Sequence, residues 1–159
     1  MTEYFDLYTA DRRKLGRKIQ RGAPIPHGEY HIVVQIMSVN SLGEILLTQR
    51  VPQKTSGGRW ECSGGCAVSG ETSREAAVRE LFEETGFRTR LIPGARAATE
   101  YRISSVARKQ VVFFLGEVHG EPKLQAKEIR SCRWVKPGEL GQYLLPQVAD
   151  AAKALLARI

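Results

Sequence analysis

The spacing of apolar residues divides the chain into a few regular elements. "YHIVVQIMSV", residues 30–39, is dense in β-branched residues and predicts a buried strand. "NSLGE" predicts a turn, and "ILLTQR", residues 45–50, the return strand of a hairpin. "TSGGRWECSGG" reads as a loop. The period then changes. Thr72 with Glu75 forms a capping-box pattern, and Gly86 is placed to close a helix in the left-handed conformation, which predicts a helix over about 73–85. Further strands are predicted near 97–104, 110–118 and 129–135, and a terminal helix from about Pro146. Residues 1–27 read as an N-terminal extension ending in the Pro- and Gly-rich "GAPIPHG", and residues 28–159 as the main domain. Strands that resume after one central helix suggest α/β layers rather than a regular βαβ alternation.

Composition narrows the class. At 159 residues, 42% hydrophobic and 26% charged, the chain suits one globular domain. No run approaches the ~18 apolar residues of a membrane span, and the first residues lack an apolar signal core, so a cytoplasmic location is expected. Cys62, Cys66 and Cys132 are odd in number, and the Cys62/Cys66 spacing lacks a second ligand pair. They are expected to be reduced structural thiols rather than a zinc site.

The net charge is +7, with Arg12, Arg13, Lys14, Arg17, Lys18 and Arg21 clustered near the start. They form either a solvated strand or hairpin face or a phosphate-attracting patch. No aromatic residue interleaves with them, which weakens a nucleic-acid reading.

Against this basic background, Gly65–Phe87 holds five glutamates: Glu71, Glu75, Glu80, Glu83 and Glu84. On a helix, Glu80, Glu83 and Glu84 fall within an arc of roughly 100°. Ala77, Val78, Leu81 and Phe82 occupy another arc and are expected to dock on a sheet, while Ser73 and Ala76 lie below the acids. Glu80 and Glu84 repel at i,i+4, and Arg79 is placed to offset Glu75 and Glu83. One reading is a solvated acidic face. The other is a site for a hard divalent cation, Mg²⁺ or Mn²⁺.

The full spacing decides between them. Gly65, five residues, Glu71, seven residues, Arg79-Glu80-Leu81, one residue, Glu83-Glu84, one residue and Gly86-Phe87 together resemble the Nudix hydrolase signature at every defined position. The resemblance implies an α/β fold of the Nudix type, an α/β/α sandwich with a mixed sheet. It implies metal ligation by Glu80, Glu83, Glu84 and the Gly65 carbonyl. It gives Glu71, Arg79 and Gly86 structural roles in the motif, and makes Glu128 a further metal ligand or base. Glu80, Glu83, Glu84 and Glu128 are thus the expected catalytic set, with Mg²⁺ or Mn²⁺ as cofactor. The reaction implied is attack of a carboxylate-oriented water on a diphosphate linked to a nucleoside and a further group. Arg50, Lys54, Arg59 and Arg102 are candidates for holding phosphate oxygens.

The segment before the motif also looks like the branch related to isopentenyl-diphosphate isomerase. There Gly64 stands at the isomerase's cysteine position and Cys66 at a histidine ligand position, while the hydrolase acids are complete. An isomerase-like enzyme and an inactive nucleotide-binding module are the alternatives. The expected partner is a small diphosphate, with nucleic acid only as capped or triphosphorylated RNA ends, and the N-terminal segment could support a homodimer or cover a sheet edge.

Overall fold

A computed structural model describes residues 2–54, 57–102 and 108–159, with the backbone alone for 101, 102, 108 and 109. The chain opens with a hairpin of β1 (Tyr4–Tyr8) and β2 (Lys14–Gln20). The main sheet follows: β3 (Val33–Val39), β4 (Ile45–Arg50), β5 (Trp60–Glu61) and β6 (Ser63–Cys66). Helix α1 (Ser73–Thr85) comes next, then β7 (Arg90–Arg102), β8 (Arg108–Glu117), β9 (Ile129–Val135), a 3-10 turn (Pro137–Gln142) and α2 (Pro146–Leu156).

The strand order is β5-β4-β3-β8-β7, with β6 added to β3 and β9 to β4. β3 runs parallel to β8 and antiparallel to β4 and β6, so the sheet is mixed, as expected. The side chains of β3 alternate between two cores. Val34 and Ile36 pack with Ala76, Ala77 and Leu81 of α1. Met37 and Val39 pack with Val148, Ala152 and Leu155 of α2. A sheet between two helical layers is the α/β/α arrangement.

Three local expectations differ. "TSGGRWECSGG" contributes β5 and β6 rather than only loop, because Trp60–Glu61 pairs with β4 and Ser63–Cys66 pairs with β3. β7 begins at Arg90, earlier than the pattern suggests, with an irregularity between Leu91 and Arg96 that breaks the alternation. On α1, Ala77 and Leu81 do dock, but Val78 and Phe82 are exposed and Ala76 takes the buried place. The buried stripe is rotated toward the acids, so that it runs through Ala76, Ala77, Leu81, Glu84 and Thr85. Phe82 lies instead under the Arg88 guanidinium, 5.3 Å from its ring centre.

The basic cluster forms an exposed hairpin strand. Lys14 pairs with Asp6 at 3.4 Å, Arg21 with Glu3 at 2.5 Å, and Arg17 with Glu29. Phe5, Leu7 and Tyr8 are buried. The hairpin is fastened to the body where Tyr8 and Tyr30 exchange backbone hydrogen bonds of 2.7 and 2.9 Å. Asp6 accepts from the Ser69 hydroxyl at 2.7 Å and the Gly70 N–H at 2.9 Å.

Candidate active site

The start of α1 is set by its cap. Thr72 Oγ1 accepts from the Glu75 N–H at 3.2 Å, and Glu75 accepts from the Thr72 N–H at 3.3 Å. Glu75 is therefore occupied with capping. At the other end, Gly86 adopts φ +74° and its N–H donates to the Phe82 carbonyl at 2.8 Å, a conformation that favours glycine.

Between these ends, Arg79 ties the loop to the helix. Its Nε and Nη2 donate to the two oxygens of Glu71 at 2.7 and 3.0 Å. Nη2 also reaches the Cys66 carbonyl at 3.1 Å. Glu71 in turn accepts from the Val68 N–H at 3.0 Å. Burial opposes ionisation of Glu71, but the Arg79 and Val68 hydrogen bonds outweigh it and hold its carboxyl below the usual range. The bidentate fork gives the loop a fixed position against α1.

The remaining donor of Arg79, Nη1, reaches Glu80 at 3.0 Å and Glu83 at 3.2 Å. These two acids differ in exposure: the Glu80 side chain is 15% exposed and that of Glu83 57%. Glu84 is the deepest, 4% exposed, and its Oε2 is buried with no hydrogen-bond partner among the described residues. Burial pushes the Glu84 carboxyl from the ordinary 4.5 to about 9, reinforced by the charges of Glu61, Glu80 and Glu128 and partly offset by the Ser63 hydrogen bond. Glu80 rises to about 7, again mainly through burial, with Arg79 opposing and Glu83 and Glu128 adding to the shift. The helix thus drives acids into a place that does not supply enough positive charge.

Gly65 explains how this is sterically possible. A Cβ at residue 65 would collide with the Glu80 carboxylate, whose Cδ would lie only 2.5 Å away. Its neighbour Gly64 turns to the opposite face of β6, where a Cβ would meet the Val34 carbonyl and lie 2.9 Å from Gln35 Cγ. The two successive glycines therefore let β6 pack closely against Glu80 on one face and against β3 on the other.

A cavity of about 1440 Å³ lies here. It brings together Gly65, Glu80, Glu83, Glu84 and Glu128, and Arg50 and Lys54 also line it. Arg59 is exposed and is not one of its walls. The side chain of Arg102 lies outside the described residues. Arg50 is partly committed, donating to Glu61 at 3.0 Å. Glu71 and Gly86 are not among the walls of the cavity. Among the described residues, no three His, Cys, Asp or Glu side chains already form a group that could hold one ion. Arg79 takes the place between Glu80 and Glu83.

The cavity also takes in Arg12 and Arg21 of the N-terminal basic cluster, and two residues that the sequence pattern did not single out, Glu61 from β5 and Gln35 from β3. Gln35 had a readable signal: it is an amide inside the apolar run "IVVQIMSV". The basic cluster had its charge as a signal, but that Arg12 and Arg21 line this cavity depends on long-range packing. No disulfide joins Cys62, Cys66 and Cys132, and burial pushes the Cys62 thiol up to about 12.

Comparison with known proteins agrees with the motif. Residues 29–159 match the Nudix domain family. An uncharacterized Nudix hydrolase of Listeria monocytogenes is 32% identical over 141 residues, covering 87% of this chain and 82% of that protein. The CTP pyrophosphohydrolase of Escherichia coli is 36% identical over 117 residues, 72% of this chain and 84% of that one. An isopentenyl-diphosphate Δ-isomerase of Pectobacterium atrosepticum is 27% identical over 124 residues, 74% of this chain and 68% of that one. Among solved structures, the DR0079 protein of Deinococcus radiodurans superposes with a TM-score of 0.73 at 22% identity, covering 96% of this chain and 99% of that one. No helix among the described residues is long and apolar enough to cross a membrane. The matched span, the complete signature and the shared fold mean that this chain belongs to the Nudix hydrolase family.

Proposed function

We propose that the chain hydrolyses the diphosphate bond of a nucleoside diphosphate linked to a further group, using Mg²⁺ or Mn²⁺. The observation that carries this reading is the buried Glu84, with an unpartnered oxygen, beside Glu80 and the Gly65 cradle in one cavity. A desolvated acid without compensation is costly in a structural role and useful in a cation site.

The donor set fits a hard divalent cation: carboxylates of Glu80, Glu83 and Glu84 and the Gly65 carbonyl, with no sulfur or imidazole required. When bound, such a cation neutralises diphosphate charge and makes water more acidic. The residues of the chain do the rest. Arg79 holds Glu80 and Glu83 in register with the Glu71-anchored loop. Glu128, whose charge adds to the raised pKa values of Glu80 and Glu84, takes a proton from the attacking water in this reading. Arg50 and Lys54, which line the same cavity, hold phosphate oxygens. The 36% identity to a CTP pyrophosphohydrolase supports a nucleotide substrate.

The isomerase alternative lacks a place for its cysteine. At residue 64 any side chain would run into the Val34 carbonyl and crowd Gln35. The intact acids likewise speak for catalysis over a purely binding role.

The reading places the enzyme in the cytoplasm, acting on a soluble metabolite. Its test is a panel of nucleoside di- and triphosphates, nucleotide sugars, dinucleotides and capped RNA with Mg²⁺ or Mn²⁺. Release of phosphate or nucleotide from at least one is expected, and turnover of none would overturn the reading. A monomeric mass in solution would exclude a homodimer.

A further inference from the structure

Gln35 sits in the middle of β3, 6% exposed, and lines the cavity. It lies on the sheet face that carries Met37 and Val39, between Gly64 on β6 and Phe113 on β8 in the strand register. Its Oε1 is buried and has no hydrogen-bond partner among the described residues. Leaving a buried acceptor unmet is destabilising, whereas an apolar residue of the same length would fit these surroundings without that cost. Gly64, directly across, lines the same cavity, and its lack of a side chain lets Gln35 pack close, since a Cβ there would lie 2.9 Å from Gln35 Cγ. The next residue, Gly65, abuts Glu80. Although Gln35 and α1 belong to opposite faces of the sheet, Gln35, Gly64, Gly65, Glu80 and Glu84 line one cavity, which extends from the acids to the Gln35 amide.

We propose that Gln35 is the specificity-determining residue of this cavity, its amide oxygen accepting an N–H of a nucleobase carried by the substrate. The proposal rests on the hydrolase reading above and sharpens it. A planar heterocycle bearing an N–H satisfies the amide and packs against the neighbouring apolar wall. A hydrocarbon group, such as an isoprenoid, would bury the same oxygen further without offering a donor. Rejection of the group that lacks the hydrogen bond is the stronger form of discrimination, because the site's own polar atom is left unpaired.

The experiment compares the wild type with Gln35→Met, with Gln35→Leu repeating the measurement in a shorter apolar side chain. Calorimetric titration without divalent cation uses CMP, GMP, inorganic diphosphate and isopentenyl diphosphate as probes. The nucleoside monophosphates should bind the variants about 10- to 100-fold more weakly. Inorganic diphosphate should bind all three proteins within about twofold, since it carries no base. Melting temperature should rise in the variants, because the unmet acceptor is gone; a residue with a merely structural role would move it the other way. In turnover, the loss should appear in KM rather than kcat. Unchanged nucleotide affinity in the variants, an equal loss for inorganic diphosphate, wild-type affinity for isopentenyl diphosphate equal to that for CMP, or no wild-type nucleotide binding at millimolar concentration would each overturn the proposal. If the wild type turns over no nucleotide, the hydrolase reading fails alone, and the titrations still decide the role of Gln35.

Discussion

Helix α1 and the N-terminal hairpin are both dense in charge and treat it in opposite ways. On the hairpin, Lys14, Arg17 and Arg21 each have an acidic partner, and most of these groups remain in contact with water. Such pairs cost little and stabilise little. On α1 and its loop, Arg79 alone bridges three of the five acids, Glu71, Glu80 and Glu83, and the deepest acid, Glu84, keeps an oxygen with no partner among the described residues. Satisfied surface charge reads as scaffold, and uncompensated buried charge reads as a site awaiting a ligand. Experiments that separate the two regions test that distinction.

The largest effect should come from the acids. Glu83→Gln and Glu84→Gln should each lower kcat by about 100-fold or more, the scale seen when one transition-state charge stabiliser is removed. Both should retain the fold, since neither removes a core side chain. Steady-state kinetics with circular dichroism checks this, and unchanged rates in both would remove the metal assignment.

Arg79 comes next, because it serves both scaffold and site. Arg79→Ala removes the bidentate bond to Glu71 and leaves Glu80 and Glu83 facing each other without a cation. Losing hydrogen bonds to charged groups predicts a cost of about 2 kcal/mol, or about 4–8 °C in melting temperature for a chain of this size. Activity should fall as well. A variant that melts with the wild type would show that the loop does not depend on this fork.

Much of this was visible in the chain before folding. The helix limits, its cap and Gly86 are local, and short-range geometry decides them, whereas the pairing of Glu71 with Arg79 was legible only through the resemblance to the Nudix signature. The inner strands were equally plain, because β-branched runs have few other uses. What stayed hidden depends on distant partners. β5 and β6 are too short to announce themselves and exist by pairing with β4 and β3. The buried stripe of α1 turned from Val78 and Phe82 toward Ala76 because a small residue is what the sheet can accept close to the acids. The entry of Arg12 and Arg21 into the cavity follows from the hairpin folding over the body, which no spacing encodes.

The pH dependence sharpens the contrast further. Glu84 has a folded pKa of about 9 against an ordinary 4.5. The folded chain therefore holds a proton that the unfolded chain releases between these values, and stability without metal should fall as pH rises through that window. Divalent cation needs the ionised form, so its binding should release protons and its stabilising shift should grow with pH. Melting curves at pH 6 and pH 8.5, with and without Mg²⁺, read both effects. Glu84→Gln should flatten the metal-free dependence. A wild type whose metal-free stability rises over the same interval would contradict the buried, uncompensated state of this acid.

The smallest effect belongs to the hairpin, and it should carry the opposite sign. Asp6 accepts from the Gly70 N–H and the Ser69 hydroxyl, and these bonds, with Lys14 assisting against a modest burial penalty, hold its pKa below the ordinary 3.8. Its contribution is present above that value and disappears as pH falls through the lower folded pKa. Asp6→Ala should cost about 1 kcal/mol at neutral pH, the usual worth of such hydrogen bonds, and almost nothing in strong acid. Its effect on kcat should be slight, because Asp6 fastens the hairpin without facing the acids of α1. A large loss of activity at unchanged stability would mean that the hairpin's position over the cavity is part of the chemistry, and the division between scaffold and site would have to be redrawn to include it.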